Sequence, residues 1–164
     1  MEKPKIAVIL GSDSDLSAME EGLKVLRDFK VSFDLKIMSA HRSPALVHEF
    51  AKNAEKEGVN VIIAAAGGAA HLAGVIASMT RLPVIGVPME TSSLNGMDSL
   101  FSTVQMPYGV PVATMAIGKS GARNASIFAL QILALSDKKI AGELNAFKKR
   151  LESDVIAKNK KLSL

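Results

Sequence analysis

The stretch VNVIIAAAGGAAH, residues 59–71, decides the fold of this 164-residue chain, because it joins an apolar run to a glycine-rich turn. The run Val59–Ala66 is almost continuously apolar, which is typical of a strand buried on both faces of a parallel sheet. Two further runs have the same form: Pro4–Leu10 leads into GSDSD, and Phe33–Met38 leads into SAHRSP. The carboxyl ends of parallel strands lie at one edge of the sheet, where ligands bind. We therefore expect the three clusters that follow these runs to form one site.

Strand and helix patterns alternate along the chain. The predicted strands are Lys5–Leu10, Val31–Met38, Val59–Ala66, Leu82–Val87 and Val112–Ile117. Helices are predicted after these strands: one with Pro44 in its first turn, others at about 71–79 and within 96–105, and a long one at about 119–135. Repeated β-α-β units with short connections predict a single α/β domain over 1–164, with a parallel sheet covered on both faces.

A last helix is predicted at about 138–157, with Asp137 as its N-cap. It has an apolar stripe that consists of Ile140, Leu144, Phe147, Leu151 and Val155, at spacings of three or four residues. Charged residues occupy the opposite side, so one face favours burial. Because the five strands and their helices already complete a covered sheet, we expect the stripe to pack on a neighbouring subunit. The alternative is that this helix folds back over its own chain.

Composition excludes several classes of function. The chain has no cysteine, which removes disulfides, thiolate metal sites and cysteine nucleophiles. Two candidate imidazoles, His41 and His71, have no third ligand at metal spacing, so we expect no metal. A net charge of +4 and an aromatic content of 4% do not favour nucleic-acid binding.

Hydropathy along the chain favours a cytoplasmic protein. Residues 61–79 are almost entirely apolar, but two glycines divide them, so a buried strand and helix explain them better than a membrane span. The first residues lead straight into a strand, without a charged-then-apolar signal segment.

The GSDSD cluster, residues 11–15, lies where a strand gives way to a helix. The backbone N–H groups and dipole of a helix N-terminus, together with the hydroxyls of Ser12 and Ser14, suit a phosphate. Carboxylates repel phosphate, so we expect Asp15 to accept hydrogen bonds from ribose hydroxyls. The alternative is that these residues do no more than cap the helix.

The SAHRSP cluster, residues 39–44, places a proton carrier beside a phosphate clamp. Histidine titrates at about 6.5 when unperturbed, so His41 can give and take protons near neutral pH. Arg42 keeps its charge and can hold a phosphate with two N–H groups at once. The alternative is a surface loop with incidental charge.

The GGAAH cluster, residues 67–71, has small residues where a ligand would approach the backbone closely. Such a turn can present N–H groups to a carboxylate. His71 either orients that carboxylate or is a hydrogen-bonded core histidine.

Taken together, these segments resemble the N5-carboxyaminoimidazole ribonucleotide mutase family of purine biosynthesis. The resemblance spans about Lys5 to Ser136 and rests on five blocks in register: GSDSD, SAHRSP, AGGAAHL, LPVIGVP, and DSL through QMP. The chain departs from the family pattern at three positions, with Ser43 for the usual Thr, Ala65 for Gly and Ala73 for Pro. The SAHRSP block matches the mutase branch and differs from the related branch that carboxylates aminoimidazole ribonucleotide with free CO2.

The resemblance implies a flavodoxin-like three-layer α/β/α sandwich and a homo-octamer with sites between subunits. It also implies an isomerase that needs no cofactor and interconverts N5-carboxyaminoimidazole ribonucleotide and 4-carboxy-5-aminoimidazole ribonucleotide. A different interpretation, a non-catalytic nucleotide or flavin module of flavodoxin type, explains the serine-rich loop but gives His41 no task.

The resemblance also implies roles for individual residues in binding this small ribonucleotide. His41 is expected to be the acid–base catalyst. Ser12, Asp15 and Arg42 are expected at the ribose phosphate, and Gly67, Gly68 and His71 around the carboxylate or CO2. The remaining expected substrate contacts are Ser14, Ser39, Ala40 and Leu72.

Overall fold

A computed structural model describes residues 5–162 of the chain. Its elements are β1 (Ile6–Leu10), α1 (Leu16–Asp28), β2 (Phe33–Ile37), α2 (Pro44–Asn53), β3 (Val61–Ala66), α3 (Leu72–Ala77), β4 (Val84–Pro88), α4 (Met97–Val104), β5 (Ala113–Thr114), α5 (Gly118–Ala134) and α6 (Lys138–Leu162). The chain divides into two compact units, one extending to Ala129 and the other starting at Leu130.

The first unit contains a five-stranded, wholly parallel sheet with the strand order β2-β1-β3-β4-β5. This is the doubly wound order of flavodoxin-like proteins, and it confirms the predicted α/β fold class. β1 and β3 are neighbours in the middle of the sheet, although a strand and two helices separate them in sequence. The connection from β1 leads to one edge of the sheet and the connection from β3 leads to the other.

Both faces of the sheet are buried, which explains the continuous apolar runs. Ala7 and Ile9 of β1 belong to a core cluster with residues of α2 and α3. Successive strand residues point to opposite faces, so Ile6, Val8 and Leu10 face the other side, and they are fully buried as well. The edge strand β2 is less buried, and its sequence FDLKI alternates apolar residues with Asp34 and Lys36 instead of being continuously apolar.

The fifth strand is much shorter than the predicted Val112–Ile117. It pairs with β4 through Ala113 and Thr114, and the N–H of Met115 donates to the carbonyl of Gly86. The chain then turns away from the sheet at Gly118, which has a φ of +68° and is the first residue of α5. The apolar pattern of the sequence overestimates the strand, because none of the residues 115–117 is buried and Ala116 is exposed. The ladder ends at Gly86, although β4 continues to Pro88.

The second unit is helical and contains α6, which is capped as predicted. The Asp137 carboxylate accepts hydrogen bonds from the N–H groups of Lys139 and Ile140. Within residues 5–162, no helix is long and apolar enough to cross a membrane.

Candidate active site

The three sequence clusters meet at the carboxyl ends of β1, β2 and β3. They line one cavity of about 430 Å³. The lining residues are Gly11, Ser12, Ser14, Asp15, Ser39, Ala40, His41, Arg42, Ala66, Gly67, Ala69, His71, Leu72, Glu90 and Thr91. The cavity lies where the chain connections from β1 and β3 diverge, which is the usual ligand-binding position in open α/β sheets.

The β1 cluster forms a short 3-10 turn, Asp13–Asp15, that leads directly into α1. The Ser12 hydroxyl accepts a hydrogen bond from the N–H of Ser14 at 3.4 Å, so Ser12 caps this turn while also lining the cavity. The cap is therefore present, and it does not exclude ligand binding, which stays a prediction for this residue.

Asp15 differs from its neighbour Asp13 because its side chain is buried. The residue is 9% exposed. Burial raises the pKa of the Asp15 carboxyl above its ordinary value of 3.8, while hydrogen bonds from the Ser12 backbone and the Ser14 hydroxyl lower that pKa. The positive charge of Arg42 lowers it further by a smaller amount.

The β2 cluster is a loop that holds its own shape through two serines. The N–H of Ser43 and its hydroxyl both donate to the Ser39 carbonyl, at 2.9 and 3.1 Å. The Ser39 N–H donates back to the Ser43 hydroxyl at 2.9 Å, and the Ser39 hydroxyl accepts from the N–H of Arg42 at 3.1 Å. These bonds hold the backbone on either side of His41 in a defined conformation.

Arg42 connects the β2 cluster to the β1 cluster. Its Nη2 donates to the Gly11 carbonyl at 3.0 Å. A guanidinium has five N–H donors, so this bond leaves most of them for an anion at the mouth of the cavity. The structure thus places a fixed positive charge next to the N-terminus of α1.

His41 and His71 contact each other directly. Nε2 of His41 lies 3.0 Å from Nδ1 of His71, and the two rings are almost perpendicular, with an interplanar angle of 79°. One ring donates a proton in this hydrogen bond and the other accepts it. A group whose proton position is coupled to a neighbouring imidazole is well suited to proton transfer. His48, the third histidine, is exposed on α2 and does not line the cavity.

The cluster after β3, residues 67–71, presents backbone N–H groups to the cavity. Gly68 is predicted to contact the ligand, but it is not among the residues that line the cavity. Gly68 has a φ of +67°, and its N–H donates to the hydroxyl of Ser99 on α4 at 2.8 Å. Within residues 5–162, the N–H groups of Gly67 and Ala69 have no hydrogen-bond partner, and both residues line the cavity. The backbone donors available to a ligand in this turn are therefore those of Gly67 and Ala69.

Five lining residues are absent from the contacts predicted from the sequence. Gly11, Ala66 and Ala69 lie in or next to the predicted clusters, whereas Glu90 and Thr91 lie outside them. Glu90 and Thr91 follow β4, which ends at Pro88, so they reach the cavity by the same strand-end rule that identified the other clusters. The Thr91 hydroxyl donates to the Asp98 carboxylate at 2.8 Å, which joins this loop to the start of α4. Within residues 5–162, no three side chains of His, Asp or Glu are grouped closely enough to share a metal ion.

Comparisons with known proteins agree with this architecture. Residues 5–154 match the model of the AIR carboxylase family. The N5-carboxyaminoimidazole ribonucleotide mutase of Thermotoga maritima is 52% identical over 159 residues, which cover 97% of this chain and 92% of that protein. The phosphoribosylaminoimidazole carboxylase of Candida albicans is 50% identical over 157 residues, 96% of this chain but 27% of that longer protein.

A solved structure matches nearly the whole chain. The crystal structure of Treponema denticola PurE superimposes with a TM-score of 0.88 at 26% sequence identity, covering 98% of this chain and 99% of that one. The family model and the relatives span the sheet and the strand-end clusters together. The chain belongs to the AIR carboxylase family.

Proposed function

We propose that this protein is an N5-carboxyaminoimidazole ribonucleotide mutase of de novo purine biosynthesis. The observation that carries the proposal is the position of His41, held in a preformed loop beside His71 in a cavity that the β1, β2 and β3 clusters enclose. The mutase names of relatives about half identical over nearly the full chain support the same activity.

The proposed chemistry is the transfer of CO2 from a nitrogen to a carbon atom of one substrate. The bond between the exocyclic nitrogen and the carboxyl carbon breaks, the electron pair stays on the nitrogen, and His41 supplies the proton that completes the amine. Ring carbon 4 of the resulting enamine-like aminoimidazole then attacks the retained CO2. His41 takes the proton from carbon 4, which restores the aromatic ring and returns the histidine to its starting state.

This chemistry depends on holding the reactants in place. We assign the ribose phosphate to Arg42, Ser12 and Asp15 beside the N-terminus of α1. We assign the carboxylate and CO2 to the turn Gly67–His71, through the free N–H groups described above. Ser14, Ser39, Ala40 and Leu72 complete the wall of the cavity.

The decisive experiment supplies N5-carboxyaminoimidazole ribonucleotide in buffer freed of bicarbonate. We expect the 4-carboxy product to form at a rate proportional to enzyme concentration. A second candidate, a carboxylase that uses free CO2, is favoured by the name of the Candida albicans relative. Product that forms only from aminoimidazole ribonucleotide and added bicarbonate would contradict the mutase assignment and support the carboxylase.

We also propose a homo-octamer in the cytoplasm. The assembly is supported by apolar residues left exposed on the single chain, among them Met97, Phe101 and Val104 along α4. The compartment is supported by the absence of cysteine from the sequence and by the biosynthetic role.

A further inference from the structure

We infer that Ser99, together with Ser102, is a positioning residue that shapes the Gly67–Ala69 turn into the wall that retains CO2 during its transfer. This inference rests on the proposed mutase function and adds to it residues outside the cavity lining. It concerns the DSL block at the start of α4, which has no role in the chemistry described above.

Two hydrogen bonds join α4 to the turn, and both are made by Gly68. The Ser99 hydroxyl accepts a hydrogen bond from the Gly68 N–H at 2.8 Å, and the Ser102 hydroxyl donates to the Gly68 carbonyl at 3.3 Å. Ser99 is fully buried, at 0% exposure. Both polar groups of Gly68 are thereby held by one helix, which fixes the peptide planes on either side of it.

The fixed residue determines where its neighbours point. Gly68 has a positive φ that residues with a side chain rarely adopt, although a Cβ atom there would meet nothing within 4 Å. The glycine is thus needed for its backbone conformation and not for space. With Gly68 tied to α4, the unpartnered N–H groups of Gly67 and Ala69 remain at the cavity surface.

The start of α4 is itself anchored, so Ser99 is a rigid support. The Thr91 hydroxyl accepts from the N–H of Gly96 at 3.2 Å and donates to the Asp98 carboxylate at 2.8 Å. Thr91 lines the cavity next to this turn, since a Cβ atom at Gly67 would lie 3.7 Å from the Thr91 methyl carbon. The helix that positions the Gly67–Ala69 turn is therefore joined to the adjoining part of the same wall.

Retention of CO2 should depend on the position of this turn more strongly than binding of the ribonucleotide does. CO2 is small and uncharged, so a site retains it through donors directed at its oxygens and through a closed wall, whereas the ribonucleotide is also held by its charged phosphate. Loosening the turn should therefore release CO2 to solvent without releasing the nucleotide. The predicted consequence is an enzyme that decarboxylates its substrate but transfers the carboxyl group poorly.

The test follows the carboxyl carbon through the reaction of the full-length protein. Substrate labelled with ¹³C in the N-carboxyl group is converted in unlabelled bicarbonate buffer, and the loss measured without enzyme is subtracted. For Ser99→Ala we expect the fraction of label in the product to fall, aminoimidazole ribonucleotide to accumulate, and kcat to drop about tenfold or more, with KM changed less than about threefold. Ser102→Ala, which removes the longer of the two bonds, should show the same leak to a smaller extent and carries the test should Ser99→Ala fail to fold.

Thr103→Val is the matched control, because it removes another buried hydroxyl of α4 that bonds the Ser99 carbonyl and does not contact Gly68. Unchanged label retention in both serine variants would overturn the inference, as would an equal leak in Thr103→Val. A loss of kcat with full label retention would also overturn it and assign these serines a purely structural role. Loss of the label by the wild-type protein would instead contradict the proposed function, independently of Ser99.

Discussion

At the scale of single residues, the proposed roles of His41 in proton transfer and of Arg42 in phosphate binding are separable by substitution. His41→Asn removes the proton carrier but keeps a polar side chain of similar size. General acid–base catalysis contributes about 10²–10⁴-fold, so we expect kcat to fall by that factor while nucleotide affinity is retained. Steady-state rates and nucleotide titration measure both quantities. His48→Asn, at an exposed histidine of α2, is the matched control and should leave kcat unchanged. A His41→Asn variant that keeps more than about a tenth of the wild-type rate would contradict the acid–base assignment.

Arg42 is expected to act on binding, because a phosphate clamp holds the ground state and the transition state alike. Arg42→Leu should raise KM, with a smaller change in kcat. Arg42→Lys keeps the positive charge but loses the planar guanidinium group, which also donates to the Gly11 carbonyl. The KM of Arg42→Lys should therefore lie between those of the wild type and Arg42→Leu. The opposite pattern, with kcat lost and KM unchanged, would assign Arg42 to the chemical step.

The buried carboxyl of Asp15 predicts a pH-dependent cost in stability. The pKa of Asp15 is raised in the folded protein above its ordinary value of 3.8. Below pH 3.8 the carboxyl is protonated in both the folded and the unfolded state, and the protein is then free of the cost of burying a charge, which it bears at neutral pH. As the pH rises from 3.8 through the folded-state pKa, the unfolded chain loses its proton first and stability is lost. Asp15→Asn removes the charge and retains an oxygen acceptor for the Ser12 and Ser14 bonds. We therefore expect a higher Tm than wild type at pH 7 and a difference that shrinks towards pH 3.5.

Thermal unfolding from pH 3 to pH 8 measures this effect, with Asp154→Asn at an exposed position of α6 as the control. Asp13 is unsuitable as a control, because its charge contributes to the raised pKa of Asp15. We expect Asp15→Asn to bind substrate more weakly even though it is more stable. A lower Tm for Asp15→Asn at pH 7 would show that the carboxylate stabilises the fold, contrary to the direction of its pKa shift.

At the scale of elements, the strand-end rule predicts most of the site from sequence. Continuous apolar runs identify β1 and β3, and the polar clusters after them do line one cavity, because parallel strands share an edge. The same rule includes Thr91, because β4 ends at Pro88 and Thr91 lies in the loop that follows it. The partner of Gly68 lies on a helix more than thirty residues away, so no local pattern indicates that its N–H is already bonded.

The crossing of α1 and α5 offers a prediction about packing that no sequence pattern gives. The Ser126 hydroxyl on α5 is buried, at 1% exposure, and it has no hydrogen-bond partner within the described residues. Ser126→Ala removes this unsatisfied group and introduces a better helix former, so we expect the free energy of unfolding to rise by about 1 kcal/mol. Chemical denaturation measures the change.

Gly22 on α1 provides the contrasting substitution at the same crossing. A Cβ atom at Gly22 would lie 2.5 Å from the backbone carbonyl oxygen of Ala122. Gly22→Ala should therefore lower the free energy of unfolding by about 1–3 kcal/mol, despite the better helix propensity of alanine.

The outcome for Ser126→Ala is independent of that for Gly22→Ala. A destabilised Ser126→Ala would contradict the predicted rise in the free energy of unfolding and point to an acceptor or water that satisfies the hydroxyl.

At the scale of the whole molecule, the apolar stripe of α6 is only partly covered in the single chain. The first part of the stripe is already buried in the single chain, at Ile140 and Leu144. The later part is not, because Leu151 is 50% exposed and Val155 is 57% exposed. Cutting the chain after Ser136 would therefore remove buried core residues as well as any interface. Charged substitutions in the exposed part are the more specific test of a subunit contact.

Leu151→Glu combined with Val155→Glu should reduce the assembly, because two carboxylates in a buried contact would lose their hydration without gaining partners. We expect light scattering to give a smaller molar mass than for the wild-type protein, with helical content retained by circular dichroism. Lys149→Glu on the charged side of the same helix alters charge without touching the stripe, and it should keep the full mass. If α6 instead folds over its own chain, the double variant keeps the wild-type mass and loses thermal stability, and that result would refute the role of α6 in assembly.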